Sequence, residues 1–196
     1  MLGSVSSTEP DPELHRDFRR IRAPLEGRQV RLRAPEPEDA AVLNPMFGDP
    51  DVLAGLTVAF PQPVAGFLEW LEKARRSDDS VEFVIETIEG EAIGACDLRQ
   101  LNDRNRSANL GIWIAKPYWD RGFGTDAVRT LCRFGFRHMN LQRVDLQVYA
   151  DNVRGRRAYE KVGFKLEGTL RRAQFVGGRY VDALVMGLLA EEFVDG

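Results

Sequence analysis

Apolar and polar positions alternate in two registers along this chain, and the switches between them mark its elements. Val30 and Leu32 alternate with Arg31 and Arg33, the period-two pattern of a half-buried strand. Pro35, Glu36 and Asp39 then open a helix across residues 40–47, and a second amphipathic helix covers residues 64–76, with Phe60-Pro61-Gln62-Pro63 as a loop between them. Residues 83–88 and 92–98 are β-type runs joined by Glu89-Gly90, a hairpin. Residues 108–115 alternate again, with Leu110, Ile112 and Ile114 on one face and Asn109, Gly111 and Trp113 on the other. A loop with two glycines leads into a helix over residues 124–139, where Ala127, Val128, Leu131 and Phe134 recur at spacings of three and four. Residues 144–149 read as a strand, and residues 152–162 as a helix stopped by Gly163. A long terminal hairpin, residues 165–176 and 180–189, turns at Gly177-Gly178. No internal repeat or interdomain linker breaks this order. The pattern predicts one α+β domain over residues 27–196 with a mixed, mostly antiparallel sheet and about four flanking helices. Residues 1–26, with Arg16, Arg19, Arg20 and Arg22, read as an arm-like leader.

Composition changes this picture little but excludes several classes. The 196 residues carry a net charge of -3, so no global basic field draws the chain to nucleic acid. No apolar run approaches the ~20 residues needed to cross a bilayer. Glu9, Asp11 and Glu13, with no apolar stretch beside them, argue against a signal peptide. Cys96 and Cys132 lie in apolar segments without paired spacing, as buried free thiols of a cytoplasmic protein do. With His15 and His138 as the two histidines, no zinc-like cluster can be assembled, and no metal is expected.

Chemistry concentrates in Trp113-Ile-Ala-Lys-Pro-Tyr-Trp-Asp-Arg-Gly-Phe-Gly-Thr-Asp-Ala127. A strand ends there, the chain turns through Gly122 and Gly124, and an amphipathic helix begins. The first N–H groups of a helix have no intrahelical partner and point outward with the positive end of its dipole, which suits a phosphate. Glycine keeps Cβ atoms out of the way, Arg121 adds a cation and Thr125 a hydroxyl. Glycine at a strand-to-helix turn also has a purely steric use. A Gly-Lys-Ser/Thr phosphate loop is absent from the sequence. Gly122-x-Gly124-x-x-Ala127 matches a relaxed dinucleotide fingerprint, with Asp145 as its acid. The six intervening residues from Lys116 to Arg121 and the preceding hairpins disfavour that reading.

The stretch from Trp119 to Ala127 resembles the pyrophosphate loop of the GNAT acetyltransferase superfamily, in the branch of ribosomal-protein N-terminal and spermidine acetyltransferases. Asn152-Val-Arg-Gly-Arg-Arg-Ala-Tyr159-Glu160-Lys161-Val162-Gly163-Phe164 resembles its following helix and strand. The similarity runs from about residue 29 to 193. The resemblance implies the GNAT fold, whose central strands, here residues 109–115 and 144–149, splay apart to admit acetyl-CoA. Pantetheine would pair with the backbone of Trp113 and Ile114. The diphosphate would sit on the turn of Gly122, Phe123, Gly124 and Thr125, and the 3′-phosphorylated ADP end near Arg121 and Arg156, Arg157 or Lys161. Homodimers are frequent among similar proteins.

The same resemblance implies transfer of acetyl to a primary amine by direct attack in a ternary complex. Tyr159 stands where relatives aim a phenol at the thioester sulfur, and Asn152 is expected to bind CoA or orient its helix. Alternatively, Tyr159 is a core aromatic beside Ala158 and Val162. Many relatives carry Glu where this chain has Asn109, and Asn cannot accept a proton at neutral pH. Glu82, Glu86, Asp97 and Asp182 are the candidate bases. Gly155 replaces a frequent Ser. An α-amine (pKa ~7.7–8.0) reaches its neutral form far more readily than an alkyl amine near 10.4, which favours a peptide or aminoacyl acceptor. A polyamine or antibiotic acetyltransferase and a non-catalytic acyl-CoA-binding module are the rival readings. Phe47, Phe60, Trp70, Phe175 and Tyr180 could line the acceptor cleft or simply fill the core.

Overall fold

A computed structural model describes residues 25–56 and 63–195. The two periodicities resolve into a sheet of eight strands with helices on both faces. The strands are β1 (Leu25–Glu26), β2 (Val30–Arg33), β3 (Ser80–Thr87), β4 (Ala92–Asn102), β5 (Ser107–Ile114), β6 (Arg143–Tyr149), β7 (Lys165–Val176) and β8 (Arg179–Leu189). The helices are α1 (Asp39–Phe47), α2 (Pro50–Leu53), α3 (Val64–Arg76), α4 (Phe123–His138) and α5 (Val153–Val162). Strand order is β1-β2-β3-β4-β5-β6-β8-β7. All pairings are antiparallel except β5 with β6. Short α2 lay outside the sequence reading: its four residues are too few to show a helical period. Asp49 caps it, accepting from Asp51 N at 2.8 Å. The residues read as an N-terminal leader lie outside the described residues up to position 24, as does most of the Phe60 loop.

The main core packs α4 against one sheet face. Ala127, Val128, Leu131 and Phe134 meet Val30, Leu98, Leu110, Val144 and Leu146, all almost fully buried. Truncating one of these large side chains costs about 2–5 kcal/mol. A smaller cluster, Ala40, Leu43, Phe67 and Val84, seats α1 and α3 on the opposite face.

One topological feature positions the site. β5 and β6 pair at three positions, Ser107↔Arg143, Ala108↔Val144 and Asn109↔Asp145, and then part. β6 goes on pairing with β8 as far as Tyr149↔Ala183. The β5 edge from Leu110 onward therefore faces a gap. This is the splay expected for residues 109–115 and 144–149.

Candidate active site

Four elements meet at the gap: the end of β5, the first turn of α4, α5, and the α2 segment. They enclose a cleft of about 430 Å³. Gly122 caps α4 with φ 92°, a left-handed conformation that disfavours any side chain, and Asp120 shares it at φ 57°. The first helical hydrogen bond runs from Asp126 N to Gly122 O at 3.0 Å. The N–H groups of Phe123, Gly124 and Thr125 precede it and open on the cleft end of the helix. The glycine turn thus supplies both features a diphosphate requires.

Of the residues singled out in the sequence, Trp113, Ile114, Gly122, Gly124, Thr125, Asn152, Arg157, Tyr159 and Lys161 line the cleft. Arg121 and Phe123 do not. Arg121 lies over the rings of Tyr118 and Phe123, 5.7 and 5.0 Å from their centroids. The Phe123 side chain belongs to the main core, which leaves its backbone N–H for a ligand. Arg156 pairs with Glu160 one turn on, at 3.1 Å. Tyr118, Trp119 and Arg154 carried no periodic signal but also line the cleft. The Arg154 guanidinium lies 3.3 Å from the Trp119 ring centroid, and the indole N–H donates to Ile114 O at 2.7 Å. Asp51 brings α2 to the rim, held there by Lys116.

Strand parity refines the pantetheine partners. Ala115 N–H donates to Ile93 O, so the alternation of an antiparallel pair turns the N–H and C=O of Trp113 towards β4 as well. Ile112 and Ile114 turn theirs to the gap. With Ile114 O taken by Trp119, the N–H groups of Ile112 and Ile114 and the C=O of Ile112 face the gap.

Asn152 orients its helix: its Oδ1 accepts from Gly155 N at 2.9 Å as the N-cap of α5. A Cβ at Gly155 would lie 2.9 Å from Asn152 Nδ2, so glycine leaves room for this cap. Tyr159, seven residues on, packs edge-on against Phe164 and faces the cleft, and burial pushes its phenol up to about 12.

The four candidate bases separate cleanly. Glu86 is paired with Arg33 at 3.0 Å, and Asp182 accepts from Arg172 N at 2.8 Å. Glu82 and Asp97 stand opposite each other on β3 and β4. Asn109 bridges Arg99, 3.3 Å from its Oδ1, and Asp145, 2.9 Å from its Nδ2. Of the aromatics suggested for the acceptor side, Phe47 packs on Phe67 and Trp113, whereas Phe175 and Tyr180 pair with each other, exposed at the hairpin tip. Phe60 and the side chain of Trp70 lie outside the described residues. One residue the sequence reading passed over is Asp126. Its buried Oδ2 accepts from Gln29 N at 2.7 Å and Val30 N at 3.1 Å, which ties the glycine turn to β2.

A glycine turn, splayed strands and a phenol at the gap define an acyl-CoA-dependent transferase site. Residues 29–165 match the family model described as Acetyltransferase (GNAT) domain, and the chain belongs to that family. It is 28% identical over 168 residues to the spermidine N(1)-acetyltransferase of Escherichia coli (84% of this chain, 88% of that protein). It is 33% identical over 105 residues to the putative ribosomal N-acetyltransferase YdaF of Bacillus subtilis (54% and 57%). The crystal structure of spermidine N-acetyltransferase from Vibrio cholerae in complex with CoA and spermine superposes with a TM-score of 0.79 at 26% identity, covering 84% of this chain and 97% of that one. The protein is an acetyl-CoA-dependent N-acetyltransferase.

Proposed function

We propose that this enzyme acetylates the α-amine of a peptide or aminoacyl substrate by direct attack on acetyl-CoA in a ternary complex. The observation that carries the reading is the continuity of the cleft from the α4 N-terminus to the phenol of Tyr159. Diphosphate sits on the N–H groups of the glycine turn, with Arg154, Arg157 and Lys161 as cations nearby. Pantetheine runs along the gap-facing edge of β5. The Ile112 N–H is the donor for the developing oxyanion. The neutral amine attacks the thioester carbonyl, the C–N bond forms, and the C–S bond breaks.

Tyr159 donates a hydrogen bond to the departing sulfur. A phenol at about 12 lies some 3.5 units above a thiol, so complete proton transfer from it would cost about 5 kcal/mol. The phenol therefore remains protonated, and the new ammonium centre is the source of the thiol proton.

The acceptor face favours an α-amine over a polycation. Asp97 lies 3.4 Å from Arg99, and Asp145 lies 3.4 Å from Arg143, so two of its carboxylates already have cationic partners. A polyamine acceptor is the second reading, favoured by the relatives named spermidine acetyltransferases. Thiol release from acetyl-CoA at pH 7 decides between them. Peptide α-amines should give the higher kcat/KM, and a preference for spermidine that persists across pH would replace the first reading with the second.

A further inference from the structure

Acetyl transfer to an amine that arrives as ammonium needs a proton acceptor, and Asn109 is not one. On the sheet face that carries α1 and α3, Glu82, Asp97 and Gly111 form a row across β3, β4 and β5. The registers Glu82↔Asp97 and Asp97↔Gly111 set these positions side by side. A Cβ at Gly111 would lie 2.0 Å from Asp97 Oδ1, so this carboxylate rests directly on the β5 backbone. That point is two residues past the last β5–β6 pair, where the gap opens. Behind Asp97, Glu82 Oε2 is buried with no hydrogen-bond partner among the described residues. A buried carboxylate oxygen left unsatisfied is costly, and the fold gains nothing from it.

The charges around the pair connect it with the cleft. Arg99 Nη1 is 3.4 Å from Asp97 Oδ2, and the same guanidinium lies close enough to Tyr159 to oppose the burial that raises its phenol. Burial, then the charge of Asp97, pushes the Glu82 carboxyl up to about 7, with Arg99 pulling the other way. Asp97 is itself raised by burial, again against Arg99. Cys96, next to Asp97 in the chain but on the opposite sheet face, is buried and kept as a neutral thiol. Glu86 on β3 is engaged by Arg33, and Asp145 on β6 by Asn109 and Arg143. The charge of Asp97 thus opposes ionisation of Glu82, which couples the two carboxyls.

We propose that Asp97 and Glu82 together are the proton acceptor of the reaction, Asp97 meeting the amine at the gap and Glu82 retaining the proton in the interior. The proposal rests on the acetyl-transfer reading of the cleft. The pair takes one proton from the substrate ammonium and leaves a neutral amine. That amine displaces CoA from the acetyl group. The second proton of the nitrogen passes to the departing thiolate, which leaves as CoA thiol. The pair then returns its proton to solvent. An α-amine of pKa ~8 gives a proton to such a pair within about tenfold of balance. An alkyl amine near 10.4 does so against a factor above about a thousand.

The test follows kcat against pH at saturating α-amino peptide and acetyl-CoA, with calorimetry of acetyl-CoA binding alongside. The wild-type enzyme should show an acid limb with its inflection near 7. Glu82→Gln should lower kcat at pH 7 by about 10²-fold and abolish that inflection, with acetyl-CoA affinity within twofold of wild type. Asp97→Asn should also slow the reaction, and should move the inflection down by removing the neighbouring charge. A Glu82→Gln enzyme with the wild-type profile and kcat within threefold overturns the proposal. Should that variant not fold, carbon-13 titration of the Glu82 carboxyl in the wild-type protein replaces it, and an ordinary value near 4.3 overturns the proposal equally. Failure of wild-type protein to bind acetyl-CoA would instead sink the reading of the cleft, and the pair with it.

Discussion

Replacing Asp126 with alanine probes how the glycine turn is held in place. Its side chain is 8% exposed, and one oxygen accepts two backbone hydrogen bonds, from Gln29 and Val30. Gly27 permits this approach: a Cβ there would lie 2.4 Å from Asp126 Oδ2. Each hydrogen bond to a carboxylate contributes about 1.5–3 kcal/mol, and alanine leaves both N–H groups without this acceptor. The carboxylate's own burial cost disappears at the same time, so a net loss of about 3–4 kcal/mol is expected. For a chain of 196 residues that corresponds to a Tm lower by about 6–16 °C. Asp126→Asn keeps an oxygen acceptor and should lose roughly half as much. Scanning calorimetry with and without acetyl-CoA measures both effects. Ligand at 100 times its Kd adds about 2.7 kcal/mol to any form whose cleft is intact, so wild type and the Asn variant should show the same upward shift. An alanine variant melting within 2 °C of wild type would refute the claim that Asp126 ties α4 to β2.

Three further outcomes follow from the same geometry. Tyr159→Phe should lower kcat by about 10²–10³, the loss of one hydrogen-bond donor to a developing anion, while calorimetry finds acetyl-CoA binding nearly unchanged. Because the phenol sits at about 12, no alkaline limb below pH 11 should disappear with it. Gly94→Ala would set a Cβ 2.2 Å from the backbone O of Trp113, forcing β4 from β5, and should lower Tm by more than about 6 °C in thermal melts. Glu82 makes stability depend on pH with a definite sign. Its folded value of about 7 lies above the unfolded ~4.3, so the native state holds the extra proton between them, and stability falls as pH rises through that window. Glu82→Gln lacks this titration, so its Tm should exceed that of wild type increasingly from pH 5 to pH 8 in buffer-matched melts.

Periodicity made the scaffold legible. The helix over residues 64–76 and the strand beginning at Val30 fall where the apolar spacing put them, and Gly163 stops α5 with φ 115°. These elements are written in local rules, namely side-chain period, caps and turn chemistry. The candidate site was legible where it, too, is local: Gly122, Gly124, Thr125, Asn152 and Tyr159, which line one cleft, sit on one turn and one helix. It was not legible where it depends on register. Trp113 turns its backbone to β4 because of which pairs hydrogen-bond across β4 and β5, and no composition rule encodes that parity. Asp126 looked like one more polar residue in the first turn of a helix, but its role comes from a strand nearly a hundred residues earlier. Glu82 could be separated from Glu86 and Asp182 only when their partners were known.

The arrangement of charge across β5 explains why an asparagine is tolerable at position 109. Position 109 lies where β5 still pairs with β6, at the end of the gap away from the glycine turn. Here the cations and the helix N-terminus sit along the cleft, while the uncompensated acid, Glu82, lies two strands away on the opposite sheet face. Asn109 fills the intervening position as a neutral bridge, accepting from Arg99 and donating to Asp145. Arg99 thereby touches Asp97 and Asn109 and also influences the phenol at the gap. On the proposed mechanism, attraction for CoA and removal of the ammonium proton fall on separate faces, with the gap between β5 and β6 as their meeting point. On this layout, restoring a carboxylate at position 109 would place it between Asp145 and the Asp97–Glu82 pair, adding like-charge repulsion where the pair must ionise.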